Sequence, residues 1–509
     1  MSTSLNPADD IAATDTRGAR KHMAWFALVF FLLALTPYLN PSLVRLRPWV
    51  PGEGMPIVRM FQRSQALPSF AEASRDSHAA AAGLDTGLSK AVIASARESD
   101  DVAEVPPSAP DNNEQQTRGA TVAIDPKEYE GVEQAIEHPE HLARFFAKLK
   151  LVANKKNKTI ARVAHYGDSS IAADAITRTL RRRMQRRFGD AGHGFILIAR
   201  GGMHYIHADV RQSSSDGWEV LSAVRDGLGT GFYGYGGVQA RGRGGERATF
   251  STIEDAPIGT RVSRYELFYQ RFKHGGRVRL QLDNDRDGAQ IIDTAADERS
   301  DGFATVTAPD GPHQLSIKVL GGREVHLYGV AMERAGPGVV YDSLGLVGAR
   351  AQRLLNIEGE HIAGQIAHRK PDLLVLAFGG NEAGNKWLDV SRYEEELHTV
   401  VRAMRAGRKE MDCLLFAPLD QAERNERGKV VTIEKLPPIV EAQRRVAAAE
   451  KCAFFDAFSA MGGEGSMERW YRSRPQLAGS DLRHATPEGY RVMGTLYYKA
   501  LLKAFAESQ

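Results

Sequence analysis

The run Asp372-Leu-Leu-Val-Leu-Ala-Phe378 is apolar after its first residue and stops at Gly379-Gly380. A segment of this kind, with no polar face, reads as a strand buried on both sides, so helices must cover both faces of a mostly parallel sheet. Other stretches obey the same grammar. Thr159–Tyr166 reads as a strand and Gly167-Asp168-Ser169-Ser170 as a sharp turn. Ile176, Leu180, Met184 and Phe188 recur every fourth residue, which puts them on one face of a helix. Farther along, Val339–Tyr341 is a short strand, Asp342–Gly348 a turn and Ala349–Ile357 a helix. Cys413–Ala417 and Ala453–Phe455 add two strands. Thr486 caps a last helix, Pro487 opens it, and it runs to about Phe505.

Between residues 205 and 336 the helical period vanishes. Arg264–Gln270, Arg277–Leu282 and Glu324–Val330 alternate instead, with Gly- and Asp-rich turns between them, as an antiparallel β-sandwich requires. The expected architecture is therefore an α/β domain built from 129–204 and 337–509, with a β-sandwich inserted at 205–336.

The 509 residues are 42% apolar and 25% charged, which excludes a wholly disordered, collagenous or polytopic membrane protein. A net charge of +3 gives no argument for nucleic acid. Met23–Leu39 carries no charge. It would extend about 26 Å as a helix, and continuing through Val44 would cross the roughly 30 Å hydrocarbon core. The expectation is an uncleaved transmembrane anchor at 23–44 behind a cytoplasmic tail at 1–22, in the inner membrane, with the folded part in the periplasm or cell exterior. The alternative is secretion after signal cleavage. Residues 45–128 read as a disordered linker; from Ala71 to Glu128 there is no Phe, Trp or Tyr to build a core. Cys413 and Cys452 read as buried thiols that could pair if their strands are neighbours.

A serine in a tight turn between a buried strand and a helix stands at the carboxyl edge of the sheet, where ligands of α/β proteins bind. Its own N–H lies where partial positive charge can stabilise an oxyanion. Ser169 needs a base, and Asp481-Leu-Arg-His484, directly before the last helix, offers a carboxylate to orient an imidazole.

These residues resemble the SGNH (GDSL-type) serine esterases. Gly167-Asp168-Ser169 matches that family's first block, Gly348 in Leu346–Ala349 its second with Gly345 as a competitor, Gly379-Gly380-Asn381-Glu382 its third, and Asp481–His484 its last. Glu382 stands where the family has Asp, and Ser170 after the nucleophile is a second departure. The resemblance implies an SGNH-type three-layer α/β/α sandwich with Ser169, Asp481 and His484 catalytic. The oxyanion would be held by the Ser169 N–H, the Gly348 N–H and the Asn381 side chain, without metal or cofactor. An insert at this place is similar to bacterial peptidoglycan O-acetylesterases, where it resembles a carbohydrate-binding module of jelly-roll type. That implies removal of O-acetyl groups from a cell-envelope polysaccharide such as peptidoglycan. The rivals are an O-acetyltransferase on the same glycans and a non-catalytic glycan-binding or assembly protein.

Four other patterns are read plainly. Gly229-x-Gly231-x-x-Gly234 has no helix behind it and is a loop of the insert. Asp283-x-Asp285-x-Asp287-Gly288 opens like a calcium loop but has Thr294 at position twelve, so it is a hairpin turn. Arg178, Arg181–Arg183, Arg186 and Arg187 read as a solvated helix face, with an anionic glycan or lipid headgroup as the alternative. Phe232, Tyr233 and Tyr235 read as core or loop aromatics, with stacking on sugar rings as theirs.

Overall fold

The computed structural model describes residues 124–154, 158–202, 205–225, 229–254, 256 and 258–509. The expected anchor at 23–44 and nearly all of the linker at 45–128 lie outside them. Among the described residues no helix is long and apolar enough to cross a membrane.

Five parallel strands form the central sheet: β1 (Ile160–Gly167), β2 (Gly338–Gly345), β3 (Leu373–Ala377), β4 (Asp412–Phe416) and β5 (Ala453–Phe455). Their spatial order is β2-β1-β3-β4-β5, so the winding reverses between β1 and β3. That reversal opens a crevice at the carboxyl ends of those two strands. Alternate side chains serve two cores. Val163, Val375 and Leu414 pack with helices Ala143–Ala153, Ala175–Phe188 and Pro487–Glu507. Ala164, Leu374 and Leu415 pack with Gly359–Arg369, Val390–Arg405 and Leu436–Ala449. The mixed α/β fold with an added β-rich region is thus present.

The insert is two antiparallel sheets around a third core that includes Phe250, Leu267, Ile317 and Leu327. One orders Ser300–Gly311, Val262–Arg271, Val325–Glu333, Val238–Gly242 and Glu219–Ser222; the other orders Val210–Ser214, Arg247–Thr252, Gln314–Leu320, Arg277–Leu282 and Gln290–Asp293. Gly192–Leu197, which precedes the expected boundary at 205, pairs antiparallel with Val325–Glu333 and so belongs to the insert's first sheet. β2 also runs on through Gly345, where a turn was expected from Asp342, and Ala351–Asn356 is a 3-10 helix rather than an α-helix.

The junction is held by buried ions. Arg369 reaches both Asp342 of β2 (2.8 and 2.9 Å) and Glu333 of the insert, and Glu333 also accepts two 2.9 Å bonds from Arg162 of β1. Burial alone would raise the Glu333 carboxyl, but Arg369 and Arg162 hold it well below the usual range. A second knot corrects the reading of the arginine-rich helix. Arg181 is 1% exposed, and its guanidinium bonds Asp174 (2.8 and 3.0 Å) and Asp209 (2.5 and 2.8 Å). Arg182 also pairs with Asp209, at 2.8 Å, and Arg187 with Glu128, at 2.5 Å. The helix presents its charges to fixed acids, which single-sequence periodicity cannot reveal.

Cys413 and Cys452 are joined in a disulfide with Cα atoms 4.6 Å apart, so the thiol reading is corrected. The register explains it: Leu414 lies beside Ala453 in adjacent parallel strands, and the cysteines directly precede them. The turn at Asp285 is closed by its own carboxylate, which accepts from the N–H groups of Asp287 and Gly288. Tyr233 and Tyr235 are buried, and Phe232 stacks on His361.

Candidate active site

The nucleophile turn is tight because Gly167 allows it. A Cβ there would lie 2.3 Å from Ile171 Cγ1 and 2.8 Å from the Ala377 carbonyl oxygen. Asp168 caps the short helix Ser169–Ala172, its Oδ1 accepting the Ser170 N–H at 2.9 Å and the Ser170 hydroxyl at 2.8 Å. The departure at Ser170 therefore serves the cap. Burial pushes the Asp168 carboxyl up, against the opposing pull of those two bonds. The N–H groups of Ile171 and Ala172 go to the Asp168 carbonyl, while that of Ser169 finds no acceptor among the described residues.

Ser169 Oγ lies 3.0 Å from His484 Nε2, and His484 Nδ1 lies 2.7 Å from Asp481 Oδ2. With Nδ1 protonated, the ring donates to Asp481 and its Nε2 is free to accept the serine proton. The loop is shaped by Leu482, which adopts φ +56°, and by Asp481 Oδ1, which accepts the N–H groups of Arg483 (3.0 Å) and His484 (3.1 Å). Partial burial works to raise the Asp481 carboxyl, but the His484 ring and these backbone N–H groups bring it below its ordinary value. Thr486 then accepts the Gly489 N–H and caps the last helix, so His484 is released from capping.

Asn381 follows β3, beside the nucleophile turn, and donates one amide N–H to the Ala349 carbonyl at 2.8 Å. Its second N–H remains for another acceptor. Gly348 adopts φ +77° in the turn after β2 and faces open space; it is not part of the cleft wall, to which this loop contributes Arg350. Gly345 is a packing glycine, since a Cβ would meet the Ala172 nitrogen at 2.1 Å. Glu382 is buried; its Oε1 accepts the Ala351 N–H at 2.8 Å and its Oε2 the Gly379 N–H at 3.0 Å. Burial, reinforced by Asp168, raises its carboxyl to about 7. Asn381 and Glu382 thus clamp the loop after β2 against the turn after β3. Sequence reasoning treated Glu382 only as a departure; its place between the two glycine-bearing loops was the available signal.

These groups share one cleft of about 340 Å³, with Ser169, Ser170, Asn381 and His484 in its wall beside Arg350, Gln421, Arg483 and Tyr490. Such an arrangement can deliver a hydroxyl to a carbonyl carbon, take its proton, and meet the resulting oxyanion with N–H donors.

The profile of the GDSL-like Lipase/Acylhydrolase family matches residues 312–492, a span that begins within the insert and contains Gly348, Asn381, Asp481 and His484 but not Ser169. No curated protein sequence matches the chain. Among solved structures, one of a peptidoglycan O-acetylesterase aligns over 73% of this chain and 99% of its own, with TM-score 0.61 and 23% identity, a likeness of fold. A family two carbohydrate esterase from Cellvibrio japonicus (TM-score 0.23, 11% identity, 59% and 99% covered) carries no argument. Nor does a GDSL-like lipase from Bacteroides thetaiotaomicron (0.25, 20%, 33% and 76%). The chain carries a GDSL-like acylhydrolase domain over residues 312–492, resembles a peptidoglycan O-acetylesterase in fold, and is a carboxylic ester hydrolase.

Proposed function

We propose that the protein removes O-acetyl or similar short acyl groups from a cell-envelope glycan such as peptidoglycan, with Ser169, His484 and Asp481 as its triad. The observation that carries this reading is the hydrogen-bonded relay from Ser169 Oγ through His484 to Asp481, at 3.0 and 2.7 Å, open to a cleft beside Asn381. Ser169 Oγ bonds to the ester carbonyl carbon as its proton passes to His484 Nε2. The oxyanion is met by the Ser169 N–H and the Asn381 amide. Collapse breaks the C–O bond to the sugar, whose oxygen takes the proton from His484, and water repeats the cycle on the acyl-enzyme.

The glycan is favoured by the similarity of fold to a peptidoglycan O-acetylesterase and by the breadth of the opening, where His484 and Asp481 are each about half exposed. The Cys413–Cys452 disulfide suits an oxidising compartment and supports work outside the cytoplasm, held by the run Trp25–Leu39. The test is acetate release from O-acetylated peptidoglycan by the full chain. Release above the spontaneous rate is expected; none, from protein that turns over p-nitrophenyl acetate, would overturn the glycan assignment.

A further inference from the structure

Two guanidinium groups line the cleft with no firm partner. Arg350 comes from the loop after β2, on one flank of Ser169. Its side chain has neither a hydrogen bond nor an ion pair among the described residues, in a protein whose buried arginines are multiply bonded. Arg483 comes from the loop that carries His484, and its contacts are long: 3.5 Å to Gln421 Oε1 and 3.8 Å to Glu423 Oε2. Among the described residues Asp168 is the only carboxylate in the cleft wall, and its Oδ1 is already committed to Ser170. One guanidinium fork without a side-chain partner and one held only at long range, both beside a reacting centre, are what a carboxylate requires, since each offers paired N–H donors in the plane of its two oxygens.

We propose that the substrate is an acidic glycan, in which a sugar carboxylate near the acylated hydroxyl is held by Arg350 and Arg483. The proposal rests on the glycan ester reading and deepens it. The charge belongs on the alcohol side of the ester, because both arginines are part-exposed, as a polymer lying across the opening would need. Trp387 supports a sugar as the occupant. It lies three residues beyond Gly384 of the cleft wall and is 93% exposed, an indole face open for stacking.

The experiment compares acetate release by the full chain from chemically acetylated polygalacturonate and from the same polymer after methyl esterification, which removes the charge and keeps the sugar. The free acid should be preferred at least about tenfold in kcat/KM, the scale of one charge-assisted contact. That preference should shrink at high salt and fall towards unity in Arg350→Met and Arg483→Met. Equal release from the two polymers by the wild-type enzyme would overturn the arginine assignment alone. Release from neither polymer by protein that deacetylates peptidoglycan would overturn this inference alone, whereas release from none of the three glycans by protein that turns over p-nitrophenyl acetate would overturn the glycan reading on which it rests. A preference that both variants retain would remove the arginines from recognition.

Discussion

Asp481 and His484 are three residues apart, a spacing that does not bring two side chains together in an extended chain. The left-handed Leu482, at φ +56°, and the two backbone N–H bonds to Asp481 Oδ1 fold the loop so that the carboxylate reaches the ring at 2.7 Å. His484→Ala should lower turnover of p-nitrophenyl acetate at least about a thousandfold. Asp481→Asn should retain more activity, because orientation suffers while nucleophile and base remain. Glu382 gives a second prediction at this scale. Its carboxyl is raised from 4.5 to about 7, so its contribution to stability is full below about pH 4.5 and is lost as pH rises through about 7. The difference in Tm between the wild-type protein and Glu382→Gln should therefore shift against the wild type across that interval. A difference constant from pH 4.5 to 8 would show that Glu382 does not titrate there. The pair at the end of the chain was legible in the sequence because it is local. The clamp by Glu382 was not, since it joins N–H groups of Ala351 and Gly379 that only the sheet order makes neighbours.

Between elements, the important contacts cross from the insert to the α/β layers. Arg369 ties Glu333 to Asp342 inside the protein, so Arg369→Leu leaves two buried carboxylates short of a partner. Urea denaturation should register a loss of about 3–5 kcal/mol. The disulfide closes a separation of 39 residues, and Cys413→Ala with Cys452→Ala should cost up to about 4 kcal/mol through loop entropy alone. Equal urea midpoints for the oxidised and doubly substituted proteins would contradict that. The α/β strands were readable as apolar runs because each is buried on both faces. Gly192–Leu197 was not, because its partner Val325–Glu333 lies far along the chain and pairing of that kind leaves no local mark. Arg181 misled for a related reason: Asp174 stands directly before its own helix, but Asp209, which completes the pairing, comes from a later segment.

Across the described residues, His165, His193 and His207 are buried, His165 among uncharged groups and the other two beside the Arg181–Asp209 ion pairs. Burial lowers His165 to about 3 and His207 to about 4, and lowers His193 as well. The folded state keeps them uncharged while the unfolded chain takes up protons below about 6.5, so stability present above that pH is lost as pH falls towards 3–4. Asp209 and Glu333 act in the same direction at lower pH: burial opposes their charge, but Arg181 and Arg369, their strongest pairings, keep it. Tm should drop steadily from pH 7 to pH 4, more than the opposing Glu382 contribution restores. His165→Phe should flatten part of the slope.

The central claim, that Ser169 is the nucleophile of an ester hydrolase, is tested most directly by p-nitrophenyl acetate turnover of Ser169→Ala in the full chain. The relay predicts a fall of at least about a thousandfold, and a Ser169→Ala, His484→Ala double variant scarcely worse than either single one. Wild-type turnover in a clean preparation of Ser169→Ala would contradict it.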